Sequence, residues 1–171
     1  FSVRSGGERR RIASLVQPGE NVLVLFSGIG PYPLMISKYS QAEKIIGVEK
    51  NPVAHHYGLV NVRLNKKLRN IELVRGDARQ FLCRLRIRFD RLIMVLPKSG
   101  EGFLEAALQV LKPGGMLHFY DMQSKESVEK SVIKVDTACR TGNRRLLEAD
   151  VTTCGHCAPY LYRICVNSRI N

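Results

Sequence analysis

Two features of this chain could do chemistry together: the turn Phe26-Ser-Gly-Ile-Gly-Pro31, and Glu49 at the end of Ile46-Gly-Val-Glu49. An apolar run from Asn21 to Phe26 breaks into small residues. A second apolar run then closes on a carboxylate about 20 residues on, the distance at which an acid meets a ribose in nucleotide-binding βαβ units. Glycines let backbone approach a ligand, and the acid can take both ribose hydroxyls. A dinucleotide fingerprint wants a third glycine three residues after the second. Pro33 stands there, and Pro31 directly follows Gly30. The pattern points to S-adenosylmethionine.

Other strand ends carry suitable groups. Phe26, Ser27, Gly28 and Gly30 would face the methionine portion of that cofactor. Asp77, in Arg75-Gly-Asp-Ala78, could accept from an adenine amino group, and the carbonyls of Val95-Leu-Pro-Lys98 could face a substrate base. Each has a plainer alternative: a tight turn for the glycines, a helix-capping acid for Glu49, and a cap of a basic helix for Asp77. Their occurrence in order, at successive strand ends, argues for one site. Cys154-Gly-His-Cys157 has the spacing of half a zinc site, but no second ligand pair follows and no metal is expected. His55 and His56 read as helix-surface residues, with His55 able to sit near the cofactor.

The elements that must position these groups alternate. A helix from Glu8 to Val16 ends at Pro18-Gly19. Strands are expected over 21–26, 44–48, 71–74, 89–96 and 116–120. Helices are expected over 34–39, from Pro52 to about Asn65 with Asn51 as cap, over 79–85 and over 102–111. Lys112-Pro-Gly-Gly115 reads as a turn. Strand–helix alternation demands a parallel sheet with helices on both faces. After a helix over 125–138, strands over 146–152 and 160–166 form a hairpin. Five parallel strands followed by a hairpin give an α/β class I methyltransferase (Rossmann-like) fold. Its seven-stranded sheet is mostly parallel, with a C-terminal antiparallel hairpin.

With 171 residues a single domain is expected. A net charge of +12 favours polyanionic partners, nucleic acid above all. The charge clusters at Arg4 and Arg9 to Arg11, at Lys66, Lys67 and Arg69, and from Arg75 to Arg91. No apolar run approaches membrane-spanning length and no signal sequence opens the chain. Five cysteines at irregular spacing fit reduced thiols in an intracellular compartment, with the cytoplasm as the leading expectation and an organelle or the nucleus as alternatives.

The motifs Phe1-Ser-Val-Arg4 with Glu8-Arg-Arg10, Phe26-Ser-Gly-Ile-Gly-Pro-Tyr32, Glu49-Lys-Asn-Pro52, Gly76-Asp-Ala-Arg79, Leu96-Pro-Lys-Ser99, Leu111-Lys-Pro-Gly-Gly115 and Ala158-Pro-Tyr160 recur in one family. The chain resembles the catalytic domain of the archaeal and eukaryotic tRNA (guanine-37-N1) methyltransferases and the similar wybutosine-pathway aminocarboxypropyl transferases. The resemblance implies a monomer acting on tRNA, in a longer protein whose N-terminal RNA-recognition region lies outside this sequence. It makes Glu8 the general base, with pairing to Arg11 or Arg4 as the plainer alternative. It extends the cofactor contacts to Lys50, Asn51, Ala78, Leu96 and Pro97, and gives RNA contacts to Arg4, Arg9, Arg10 and Lys98. It also implies that Cys154 to Cys157 form the turn before the last strand. Val95 departs from the family's Asn, and Val3 from its Pro. Methyl transfer to guanine nitrogen 1 is the leading expectation. Aminocarboxypropyl transfer and a silent RNA-binding module are the alternatives.

Overall fold

The computed structural model describes residues 5–171, so the expectation for Arg4 lies outside the described residues. The chain divides into two units, Phe1–Phe81 and Leu82–Asn171. In the first, α1 (Gly6–Leu15), β1 (Asn21–Leu25), α2 (Pro31–Tyr39), β2 (Lys44–Glu49), α3 (Pro52–Leu64) and β3 (Ile71–Arg75) alternate, and α4 (Ala78–Arg84) leads into the second. The strands are parallel in the order β3-β2-β1, with Leu25 opposite Val48 and Glu49 opposite Arg75. Val22 to Leu25 are fully buried, as a strand covered on both faces requires.

Local chemistry explains the boundaries. Helix α2 starts at Pro31, three residues before the expected Leu34. Gly30 takes the left-handed conformation at its cap (φ 82°), and the fixed φ of Pro31 suits a first helical turn. Asn51 caps α3 as expected, accepting from the amides of Val53 (2.9 Å) and Ala54 (3.3 Å).

The second unit holds β4 (Phe89–Met94), α5 (Leu104–Gln109), β5 (Leu111–Gln123), α6 (Val128–Thr141), β6 (Leu146–Ala158) and β7 (Leu161–Ile170), with 3₁₀ turns over Gly100–Phe103 and Lys125–Ser127. The strand order is β4-β5-β7-β6. β4 and β5 run parallel, and β7 inserts antiparallel between β5 and β6. The late antiparallel strand is therefore present.

Two expectations are corrected. Lys112 to Gly115 do not form a turn before the strand but a bulge within it. Phe89 pairs with Leu111 and Arg91 with Met116, so four residues of β5 stand against Asp90 alone. The Arg144 guanidinium donates to the carbonyls of Leu108, Leu111 (3.0 Å) and Lys112 (3.3 Å), satisfying groups the ladder leaves. The hairpin is also longer than expected, because its pairing continues to Ala158 opposite Leu161. Cys154 to Cys157 accordingly lie in β6, not in the turn before the last strand.

A buried polar chain fixes the register of this unit. Arg91 of β4 donates to His118 Nε2 (2.7 Å), so His118 Nδ1 carries the proton and donates to Asn167 Oδ1 (2.8 Å). Asn167 Nδ2 in turn donates to Asp150 (3.0 Å) and Thr152 (3.1 Å) of β6. All four strands of the unit are thereby tied through one line of contacts.

Candidate functional site

The parallel registers of the first unit bring the residues after β1, β2 and β3 to one edge, the carboxyl edge where open α/β sheets take their ligands. Phe26 leaves β1 in the left-handed region (φ 61°), followed by Gly28 (φ 57°) and Gly30 (φ 82°). The turn closes on itself, with the Gly30 amide donating to the Ser27 carbonyl (3.0 Å) and the Ser27 amide to Val48 (2.9 Å). Ser27 is buried. A Cβ placed on Gly28 would meet nothing within 4 Å, so its backbone faces open space. Behind the turn, Gly58 of α3 lets that helix lie close. A Cβ there would come within 2.9 Å of Leu73 and 3.4 Å of the Ile29 carbonyl carbon. Asn61 ties α3 to the turn by donating to the Ile29 carbonyl (2.9 Å).

Glu49 organises the edge. Its Oε2 accepts from the Gly28 amide (2.8 Å) and its Oε1 from the Asn51 amide (2.7 Å). Each oxygen keeps acceptor capacity for a ribose hydroxyl. Asp77 serves two structural ends: Oδ1 caps α4, accepting from Arg79 (3.0 Å) and Gln80 (3.4 Å), and Oδ2 pairs with Lys50 (3.0 Å). The Lys50 hydrogen bond, aided by the two amides, holds the Asp77 carboxyl below its usual range. Ala78 is buried at the start of α4, and Lys50 and Asn51 are exposed. Thus Phe26, Ser27, Gly28, Gly30, Glu49, Lys50, Asn51, Asp77 and Ala78 gather at one edge of one unit. His55, in the first turn of α3, has its Nδ1 buried without a hydrogen-bond partner.

Glu8 lies on α1, which packs on α2. Its side chain is 6% exposed, and Arg11 grips both oxygens, Nε to Oε2 and Nη2 to Oε1, each at 2.8 Å. The pairing foreseen as its plainer alternative is real. It also fixes the carboxylate in one orientation. Arg9 is buried and lines a cavity of about 410 Å³ with Pro31, Leu34, Lys38 and Asn61, away from the exposed position expected of a phosphate contact. Arg10 is exposed, with its guanidinium 4.7 Å from the Tyr39 ring centroid. Hydrogen bonds from Arg10 and then Lys38 draw the Tyr39 phenol below its ordinary value.

In the second unit Leu96, Pro97 and Lys98 follow β4 at its carboxyl end. Leu96 and Pro97 are half-buried and Lys98 is exposed. Ser99 takes φ 62°, turning the chain sharply. Among the described residues no group of three or more His, Cys, Asp or Glu could hold a metal ion, and no helix is long and apolar enough to cross a membrane.

The family model described as the TRM5/TYW2 methyltransferase domain matches residues 1–147. The chain belongs to that family. A tRNA (guanine(37)-N(1))-methyltransferase Trm5b of Pyrococcus abyssi is 37% identical over 120 residues, covering 70% of this chain and 34% of the relative. A tRNA(Phe) (4-demethylwyosine(37)-C(7)) aminocarboxypropyltransferase of Methanocaldococcus jannaschii is 28% identical over 163 residues, covering 95% of this chain and 64% of the relative. The crystal structure of M. jannaschii TYW2 in complex with AdoMet superposes with a TM-score of 0.91 at 25% identity, covering all of this chain and 77% of that one. The chain therefore spans less than two thirds of the length of these curated relatives. Its fold is the class I methyltransferase fold of the TRM5/TYW2 family, seven strands mostly parallel with an antiparallel end. S-adenosylmethionine, the cofactor of this family, fits the edge described. The open backbone at Gly28 and the two oxygens of the Glu49 carboxylate suit the groups of a nucleoside.

Proposed function

We propose that this chain is the catalytic domain of an S-adenosylmethionine-dependent tRNA methyltransferase that modifies nitrogen 1 of the guanine 3′ of the anticodon. The observation that carries this reading is the buried Glu8 carboxylate, gripped by Arg11, in a chain 37% identical to a guanine-37 nitrogen-1 methyltransferase. The cofactor supplies an electrophilic methyl on a sulfonium. Everything else falls to the protein. Glu49 holds the ribose, the glycine turn faces the methionine portion, and the edge near Asp77 receives the adenine. Guanine nitrogen 1 carries a proton that must leave as the nitrogen attacks, and Glu8 accepts it. A cationic side chain of the same unit, such as Arg10, eases negative charge developing on the guanine oxygen. Alignment for in-line displacement supplies much of the remaining rate.

One observation favours a second reading. Val95, half-buried after β4, stands where the family's motif carries an amide side chain that could hold the target base. Aminocarboxypropyl transfer presents a different carbon of the same sulfonium to the nucleophile, and a chain 28% identical over nearly the whole length carries that name. Incubation of the full-length protein with tRNA and cofactor labelled on either the methyl or the carboxypropyl portion separates the readings. Methyl label in the RNA supports the first and carboxypropyl label the second. Neither label, with RNA still bound, leaves a silent RNA-binding module.

A further inference from the structure

The carboxyl edge of the second unit carries an aromatic and cationic cluster that the transfer chemistry leaves unused. β5 runs past its last β4 partner and ends at Gln123, opposite Tyr162, and across β7 Tyr162 faces His156 of β6. The hairpin turn Pro159-Tyr160 therefore emerges on the edge that carries Leu96 to Lys98. There Ser124, Lys125, Glu126, Tyr160 and Tyr162 line a recess of about 250 Å³.

The rings are arranged and braced. His156 lies 4.4 Å from Tyr162, tilted by 57°, and the Lys125 ammonium stands 5.8 Å from the same ring centroid. Register shifts at Thr153/Gly155 and His156/Ala158 bend β6 near its tip. Arg163 Nη2 braces that bend by donating to the Cys154 carbonyl (3.1 Å). Tyr160 is 84% exposed and takes φ 60°, a conformation bulky residues adopt at a cost. Its ring contributes almost nothing to the core.

We infer that Tyr160 and Tyr162, with Lys125, form a stacking platform for an unpaired nucleobase of the RNA. This rests on the RNA reading above. Aromatic faces next to a cation suit a base with its phosphate, since every base has a π-face and every link a negative charge. Net charge of +12 favours the same occupant. Glu126 and Ser124 at the rim offer acceptors for an exocyclic amine.

These 171 residues contain no tryptophan, so Tyr160→Trp in the full-length protein adds one emitter at the platform, read as the difference in emission from the unaltered protein. Its emission is expected to be quenched on adding an unmodified tRNA transcript, with affinity within twofold of the unaltered protein. Tyr160→Ala is expected to weaken tRNA binding roughly 5- to 150-fold. That loss leaves the slope of log affinity against log salt unchanged, whereas Lys125→Ala reduces the slope by about one. S-adenosylmethionine affinity stays constant in all three variants. Unquenched emission at saturating tRNA, or Tyr160→Ala binding within twofold of the unaltered protein, overturns the platform and leaves the tRNA reading standing. If the unaltered protein binds no tRNA, both fall. Emission that shifts with protein concentration alone assigns the surface to a second copy and overturns the proposal.

Discussion

Glu49 and Gly28 are joined by a 2.8 Å hydrogen bond from the glycine amide to Oε2, across 21 residues of sequence. The second oxygen is held by Asn51 at 2.7 Å. The acid that would bind a ribose is thus also the brace of the turn that would face the rest of the cofactor.

Replacing Glu49 by Gln keeps one acceptor but sets an NH₂ group against a backbone amide. A hydrogen bond to a charged group contributes about 1.5–3 kcal/mol, so S-adenosylmethionine affinity is expected to fall by roughly tenfold to a hundredfold. Isothermal calorimetry reads this directly, and an unchanged Kd would remove Glu49 from the cofactor site.

Glu8→Gln preserves shape and removes the base. General base catalysis contributes roughly 10²–10⁴-fold. A fall in single-turnover transfer of at least about a hundredfold is expected, with cofactor affinity retained. Arg11→Met serves as the structural control, because it breaks the same pair while leaving the carboxylate. Equal rates for Glu8→Gln and the unaltered enzyme would assign Glu8 to helix packing alone.

His118→Leu leaves the buried Arg91 guanidinium and the Asn167 carbonyl without the ring that joins them. A neutral hydrogen bond contributes about 0.5–1.5 kcal/mol and one from a charged group about 1.5–3 kcal/mol. Urea unfolding should show at least about 2 kcal/mol lost, with an unchanged m-value. A loss near zero would mean that water or a side chain replaces the imidazole.

Asp121 of β5 is buried, which opposes ionisation more than any other single influence. Lys134 (2.8 Å), the Ser131 hydroxyl (2.7 Å) and the Met122 amide (2.8 Å) together outweigh it and keep the carboxyl below its usual range. The unfolded carboxyl titrates near about 4. The stability from this cluster is therefore complete above that pH and lost as pH falls through the lower folded value. Asp121→Asn should flatten the acid limb of the stability curve below about pH 4. An acid limb identical in the two proteins would contradict this.

The thiols should react in two classes. Cys83 and Cys157 are exposed, whereas Cys139 and Cys165 are buried, and burial raises the Cys139 thiol above its ordinary value. Because the thiolate is the nucleophile, brief alkylation followed by mass spectrometry should label Cys83 and Cys157 in the native protein. Cys139 and Cys165 should be labelled only after unfolding. Early labelling of Cys139 would show that α6 opens locally.

Where local chemistry and tertiary demand agreed, the sequence was legible. Strands β1, β2 and β3 each end at their own breaker: Ser27-Gly28, Asn51-Pro52 and Gly76. The groups of the cofactor edge follow those ends without further information. Asn51 declared itself by type and place as the cap of α3. Where pairing overrode local signals, legibility failed. Pro113-Gly114-Gly115 is turn chemistry, yet β4 and β7 hold both sides of β5, so the chain bulges and continues. The family resemblance implies a turn at Cys154 to Cys157, but pairing with β7 makes them part of a strand.

The sequence by itself determined the layout of alternating strands and helices, the late hairpin, and the carboxylates and glycines available at the strand ends. These depend on neighbours in the chain, whose spacing is printed in it. Only the tertiary structure decided that Arg11 grips both oxygens of Glu8, that Asp77 is at once cap and ion-pair partner, and that Arg9 is buried. Such partners are chosen by where folded elements bring side chains together. The line from Arg91 through His118 to Asn167 joins residues 27 and then 49 positions apart, and no local pattern records that contact.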